Sequence, residues 1–77
     1  MNRTLERHSL YSHYKGRLYY VISEAQHTET GESMVVYHAL YDDNEMFVRP
    51  LGMFLSEVEE DVENPTGQKY RFELIQG

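Results

Sequence analysis

Four mostly apolar stretches, separated by polar connections, are rich in the β-branched and aromatic residues that strands favour, and they predict β-strands. They are residues 18–25, 34–41, 46–49 and 70–74. In the last of them apolar and polar residues also alternate strictly with a period of two, as in a half-buried strand. A fifth stretch, residues 11–15, is predicted as a short edge strand that ends in a turn at Gly16, because glycine tolerates a positive φ.

The stretch at 18–25 carries apolar residues on both faces, so its one charged residue decides which face points inward. Glu24 marks its own face as solvated. We therefore predict that the other face packs into the core, and its members are Tyr19, Val21, Ser23 and Ala25. An apolar surplus of Leu18, Tyr20 and Ile22 then remains on the outward face.

After Pro50 the apolar residues change to the spacing of one helix face. The residues with this spacing are Leu51, Phe54, Leu55 and Val58. Proline also suits the first turn of a helix. We predict one or two helical turns over 51–55 and then a strand-like return over 56–62, for which a late helical turn is the alternative.

Polar turns separate the predicted strands and define the fold class. Asn64-Pro65-Thr66-Gly67 matches the preferences of a type I turn. A polar loop at 27–32 and an acidic turn at 42–45 have the character of hairpin connections. This order predicts a mainly β fold, either a small SH3-like barrel or a strongly bent antiparallel sheet, with one short helix before the last strand.

Length and composition indicate one small domain. The chain has 77 residues with seven Tyr, three Phe and no Trp, and aromatic rings bury a large area in so small a core. Residues 1–9 are polar and lack a period, so we predict a loosely ordered tail there. Residues 10–77 are predicted to form a single small β domain.

The net charge and the cysteine content limit the classes of partner and indicate the cellular compartment. The net charge of −6 disfavours nucleic acid, whose phosphate backbone is bound by clustered Lys and Arg. The absence of cysteine, and of an apolar segment near Met1, points to the cytoplasm. No apolar run approaches the roughly 20 residues that cross a bilayer, so no membrane association is expected.

Residue types that carry catalysis or bind metals are present but not clustered. The four histidines are His8, His13, His27 and His38, without the spacing of a zinc site. Neither a Gly-x-Ser-x-Gly sequence nor a glycine-rich phosphate loop occurs. We assign no catalytic residue, no metal and no cofactor, and an enzyme is the third and least favoured hypothesis.

A mixture of aromatic and basic residues stands out in this acidic chain, and such surfaces stack bases or hold peptides. It includes Arg17 and Tyr19, and the ligand-binding candidates are His13, Tyr14, Lys15, Tyr37, Tyr41 and Arg49. Arg49 interrupts an apolar strand. Its guanidinium therefore either pairs with a carboxylate, for which Glu57 and Glu24 are candidates, or contacts an anionic ligand.

Three stretches taken together resemble a known family. They are His13-Tyr14-Lys15-Gly16 with Leu18, Tyr19 and Val21; His27-Thr28-Glu29-Thr30 leading to residues 35–41; and Phe47-Val48-Arg49-Pro50-Leu51 with Met53 and Phe54. In this order they resemble the bacterial domain of unknown function 1653, over about residues 11–74. The chain departs from that pattern at His38, Phe47 and Gly52, where the family has Arg, Trp and Glu. The resemblance implies a short bacterial protein and no activity.

Two functions from different classes follow from the residues. The first is a small non-catalytic binding module that uses the aromatic–basic surface, with a protein or peptide as the expected partner. The alternative is a structural subunit of a homo- or hetero-oligomer without a small-molecule site, based on the outward apolar surplus. The sequence leaves the oligomeric state and the identity of the ligand open.

Overall fold

The structure of this protein is a computed structural model that describes residues 3–75. Its elements are β1 (Ser9–His13), β2 (Leu18–Gln26), β3 (Ser33–Ala39), β4 (Met46–Pro50), α1 (Leu51–Phe54) and β5 (Phe72–Leu74). Within residues 3–75, no helix is long and apolar enough to span a membrane.

The five strands form one antiparallel sheet with the order β4-β3-β2-β1-β5. The first four strands are a meander, and the chain then passes through α1 and a long connection before β5 pairs with β1. This confirms the predicted mainly β fold with one short helix before the last strand. The two edge strands, β4 and β5, do not pair with each other, so the sheet is open and not closed into a barrel.

The prediction that the first strand lies at an edge is wrong. β1 lies inside the sheet, where it pairs with β2 on one side and with β5 on the other. Tyr11 is opposite Leu74, and His13 is opposite Phe72. These partners are about 60 positions away along the chain, and the local pattern of residues 11–15 contains no signal for them.

A β-bulge in β2 changes which residues of this strand point into the core. Val21 pairs with Tyr37 and Ser23 pairs with Val36, so Ile22 is an extra residue on β2. The alternation is therefore inverted after Val21. The prediction that Ser23 and Ala25 point inward is wrong, because they pair with the outward-facing residues of β3, and Glu24 lies opposite the buried Val35.

The core lies on one face of the sheet, which we call the inner face, and α1 covers part of it. The fully buried side chains are Tyr11, Val21, Val35, Phe54 and Phe72. The Phe54 ring from α1 stacks on the Phe72 ring from β5, with centroids 4.0 Å apart and planes 9° from parallel. Burying a phenyl side chain contributes about 1.5–3 kcal/mol, so this stack stabilises the packing of α1 against β5 of the sheet.

The connection between α1 and β5 contains a short strand-like return, as one of the two alternatives predicted. Glu57 forms an isolated antiparallel bridge with Tyr70. The Val58 N–H donates to the Lys69 carbonyl at 2.9 Å, and the Arg71 N–H donates to the Ser56 carbonyl at 3.0 Å. The predicted turn follows, where the Gly67 N–H donates to the Asn64 carbonyl at 3.1 Å.

The segment before β1 contacts the opposite end of the chain. Arg3 donates to the carbonyls of Leu55 at 2.7 Å and Phe72 at 2.8 Å, and its guanidinium carbon lies 4.0 Å from the centroid of the Tyr70 ring. Whether residues 1–9 are loosely ordered in solution stays a prediction. Residues 1–2 of that segment lie outside the described residues, as do 76–77 at the other end.

Candidate functional site: a basic groove

An open groove lies where the β1–β2 turn approaches the β3–β4 turn. Its volume is about 420 Å³, and we call it the basic groove. It is lined by His13, Lys15, Arg17, Tyr19, Tyr41, Asp42 and Arg49. In a meander, alternate turns emerge at the same end of the sheet, and this brings residues 13–19 close to residues 41–42. Arg49 enters the groove from β4.

Within the described residues 3–75, the guanidinium of Arg49 is held by an aromatic cluster and not by a carboxylate. Its Nε donates to the Tyr37 hydroxyl at 3.2 Å, and its guanidinium carbon lies 5.7 Å from the Phe72 ring centroid. Among residues 3–75 neither Glu24 nor Glu57 forms an ion pair with it. Within the same residues its two terminal nitrogens have no hydrogen-bond partner, so they are available to a ligand.

The β1–β2 turn supplies the two other cations of the basic groove. Gly16 has a φ of 97°, and its N–H donates to the His13 carbonyl at 2.8 Å, which closes the turn. Arg17 lies over the Tyr41 ring, with its guanidinium carbon 4.6 Å from the centroid. Lys15 is exposed, with Nζ 5.9 Å from the centroid of the Tyr14 ring. These cation–π contacts orient both side chains without neutralising them.

His13 is uncharged at neutral pH and has a defined tautomer. Burial, together with the positive charges of Arg49, Lys15 and Arg71, lowers the pKa of His13 to about 4. The backbone N–H of Lys15 donates to Nδ1 at 3.1 Å. In the neutral ring the proton therefore sits on Nε2. His13 contributes a neutral N–H donor to the basic groove.

Two tyrosines form the aromatic wall of the groove. The hydroxyls of Tyr19 and Tyr41 share a hydrogen bond of 2.7 Å, with the rings at nearly right angles and their centroids 5.7 Å apart. Burial, reinforced by this hydrogen bond, raises the pKa of Tyr19 well above its usual range. Tyr19 therefore stays protonated at physiological pH and adds no negative charge to the groove.

An acidic depression adjoins the basic groove. Its volume is about 540 Å³, and it is lined by Ala39, Tyr41, Asp42, Asp43, Glu45 and Phe47. Tyr41 and Asp42 line both cavities and so mark the boundary between them. A positive and a negative region therefore lie side by side next to β4.

The six ligand-binding candidates from the sequence fall into two groups. His13, Lys15, Tyr41 and Arg49 line the basic groove. Tyr14 and Tyr37 are only 7% and 3% exposed, and they support the groove residues from the core. The candidates did not include three lining residues, namely Arg17, Tyr19 and Asp42. The proximity of alternate meander turns is the signal that identifies Arg17 and Asp42.

The remaining histidines do not join His13. His38 pairs with Tyr20 and Met46 on the outer face of the sheet, the face opposite the core, whereas His13 is on the inner face. Across residues 3–75, no three His, Asp or Glu side chains lie close enough together to hold a metal ion.

Comparison with known proteins identifies the family. No curated protein and no solved structure matches this chain. A family model described as protein of unknown function (DUF1653) matches residues 9–74, which are the residues from the first residue of β1 to the last residue of β5. The chain therefore belongs to the DUF1653 family.

Proposed function

We propose that this protein is a small non-catalytic binding module that holds an extended peptide segment of a partner protein in the basic groove. The observation that supports this most is that three cationic side chains line one groove of an acidic chain and, among residues 3–75, form no ion pair with a carboxylate. Among residues 3–75 the only ion pair joins Arg71 and Glu59, outside this groove. Unpaired cations oriented by aromatic rings are a common means of contacting a partner's acidic or modified side chain.

The position of the groove beside an edge strand favours a peptide as the ligand. β4 pairs with β3 on one side, and within residues 3–75 no strand lies on its other side. An extended peptide can add to such an edge through backbone hydrogen bonds while its side chains enter neighbouring pockets. Arg49 of β4 lines the basic groove and Phe47 lines the acidic depression, so a peptide on this edge would pass both.

Other classes of ligand are less compatible with the same surface. A nucleic acid strand would bring successive phosphates past Asp42, Asp43 and Glu45, and the net charge of −6 adds a long-range repulsion. Catalysis has less support, because His13 has a pKa of about 4 and is a weak base at neutral pH.

We place this module in the cytoplasm of a bacterium. The cytoplasmic location is supported by the absence of cysteine from all 77 residues, since small secreted domains usually depend on disulfides. Separation of cell fractions with an antibody to the untagged protein tests this part of the proposal, and recovery from the periplasm or membrane would contradict it.

Selection from a random peptide library followed by mapping tests the binding function. We expect selected peptides to shift the amide resonances of residues 15–17 and 46–50 of the labelled protein. Arg49→Ala should weaken binding of a selected peptide about tenfold, because a charged hydrogen bond contributes about 1.5–3 kcal/mol. Arg7→Ala, which removes the same charge from an exposed position outside the groove, is the matched control.

If selected peptides shift only the outer face, or if both variants bind alike, the groove is not the binding site. Failure to select any peptide from libraries that include acidic and phosphorylated members would count against the peptide ligand itself.

A structural subunit is a second candidate, and the apolar outer face of the sheet favours it. This face carries Leu18 and Val48, which are 44% and 63% exposed, beside the half-buried Tyr20. Sedimentation at high micromolar concentration tests it. A monomer whose stability is unchanged by Val48→Thr and Leu18→Gln would contradict this alternative, whereas a dimer that both variants dissociate would support it.

A further inference from the structure

We propose that the group held in the basic groove is a phosphate monoester, presented by a phosphorylated side chain of the peptide or by a small soluble phosphate ester. This inference rests on the part of the proposed function that makes the basic groove the binding site, because it names the ligand chemistry of that groove.

The charge of the groove suits a dianion better than a carboxylate. Lys15, Arg17 and Arg49 carry three positive charges, and Asp42 carries the one negative charge among the lining residues. Among the described residues Asp42 forms no ion pair with any of the three. Together these lining residues carry a net charge of about +2. A carboxylate would balance about half of it, whereas a phosphate monoester carries about −1.5 to −2 at neutral pH and would balance nearly all of it.

The donors also match a group with three terminal oxygens. Arg49 retains its two terminal nitrogens because Nε is the atom that donates to Tyr37. Arg17 is positioned by the Tyr41 ring, and His13 has its proton on Nε2 because Nδ1 accepts from the Lys15 N–H. Two guanidinium groups, an ammonium and an imidazole N–H offer more donors than the two oxygens of a carboxylate can accept.

The charges around the groove favour a ligand with one phosphate over a ligand with several successive phosphates. Asp42 lies in the groove wall, and Asp43 and Glu45 line the acidic depression beyond it. A second phosphate on that side would meet these carboxylates at short range. The site therefore fits a single phosphate on a carrier that is neutral or positively charged on the side of the acidic depression.

The first experiment uses amide and arginine side-chain NMR of the full 77-residue chain. Inorganic phosphate, phenyl phosphate, sulfate and acetate are titrated separately at one ionic strength and pH 7.5. We expect both phosphates to shift the Lys15 and Arg17 amides and the Arg49 Nε–H, and to bind at least fivefold more tightly than acetate. Arg49→Ala should weaken phenyl phosphate about tenfold, and Arg7→Ala should leave it unchanged.

A pair of peptides separates the two sources of the phosphate. One selected sequence is made with a single phosphorylated residue and again without the phosphate. Tighter binding of the phosphopeptide than of phenyl phosphate supports a phosphorylated side chain. Equal affinities of the phosphopeptide and phenyl phosphate support a small phosphate ester and contradict the peptide ligand.

The outcomes distinguish this inference from the proposed function. If unphosphorylated peptides occupy the groove while neither phosphate shifts it, the ligand chemistry is wrong and the binding module stands. If acetate and phosphate shift the groove equally, the groove does not select a phosphate, and the inference is again overturned. If no phosphate and no peptide affects residues 13–19 or 41–49, both proposals are wrong.

Discussion

The Nε of Arg49 donates to the hydroxyl of Tyr37 at 3.2 Å, and this contact joins the basic groove to the core. The Tyr37 ring is buried among Tyr19, Phe47, Phe54 and Phe72. The orientation of the cation in the groove is therefore determined by a side chain that cannot itself reach a ligand.

Tyr37→Phe tests this coupling. The variant removes one hydroxyl and keeps the ring, so we expect a loss of about 1–2 kcal/mol in the free energy of unfolding, measured by urea denaturation. Ligand affinity should fall as well, because Arg49 loses its fixed orientation. Tyr20→Phe is the control, because within residues 3–75 the Tyr20 hydroxyl makes no hydrogen bond. Equal effects of the two variants would show that the Arg49 contact does not stabilise the protein.

His13 makes stability depend on pH in a defined range. Its pKa is about 4 in the folded protein and 6.5 for an unperturbed histidine, so the unfolded chain binds this proton more readily. The contribution of His13 is therefore fully present above pH 6.5 and is lost as the pH falls from 6.5 towards 4. Imidazole NMR titration should show the low pKa, and the stability of His13→Gln should fall less over this range. An inflection near 6.5 for His13 would contradict the burial argument.

A phosphate bound in the groove should also change the pKa of His13. A dianion near His13 favours the protonated ring, and it offsets the positive charges of Arg49, Lys15 and Arg71 that oppose protonation. Arg17 and Asp42 are the other charged groups in the groove lining. Repeating the imidazole titration with saturating phenyl phosphate should give a higher pKa for His13, whereas an unchanged value would place the phosphate elsewhere.

Arg3 is expected to stabilise the fold although it lies in the segment predicted as a loose tail. Its two hydrogen bonds to the Leu55 and Phe72 carbonyls and its contact with the Tyr70 ring join the start of the chain to α1 and β5. Arg3→Ala should cost about 1–3 kcal/mol in urea denaturation, while Arg7→Ala, an exposed residue, should cost less than 0.5. Equal midpoints for the two variants would show that residues 1–9 are loose in solution.

The Phe54–Phe72 stack should be the largest single contribution of α1. Phe54→Ala is expected to destabilise the protein by about 3–5 kcal/mol, because it removes a fully buried ring and leaves a cavity. Met53→Ala, on the neighbouring residue that is 49% exposed, is the control and should change little. Similar losses for both variants, measured by thermal unfolding, would mean that α1 does not depend on this stack.

Local patterns were sufficient to predict the strands, the helix and the turn at Asn64–Gly67, because each depends on neighbours within a few residues. The interior position of β1 was missed because it depends on Leu74 and Phe72, far along the chain. The inverted alternation after Val21 was missed because the bulge at Ile22 depends on the register with β3.

The candidate site also depends partly on local patterns and partly on contacts between residues far apart along the chain. Arg49 was found because a cation within an apolar strand is a local anomaly. Its contact with Tyr37 is not local, because it depends on the pairing of two strands. Arg17 and Asp42 line the same groove because alternate turns of the meander emerge at one end of the sheet. Their proximity therefore depends on the strand order. Burial also could not be predicted for Tyr14, which the sequence suggested as a contact residue.

The pairing of β1 with β5 has a consequence for synthesis on the ribosome. Residues 9–13 leave the exit tunnel first, but one side of β1 gains its partner only when residues 72–74 have followed. Until then the meander has an exposed backbone edge at β1 and lacks the Phe72 ring. We therefore expect nascent chains that end before residue 72 to remain protease-sensitive and to be clients of ribosome-associated chaperones.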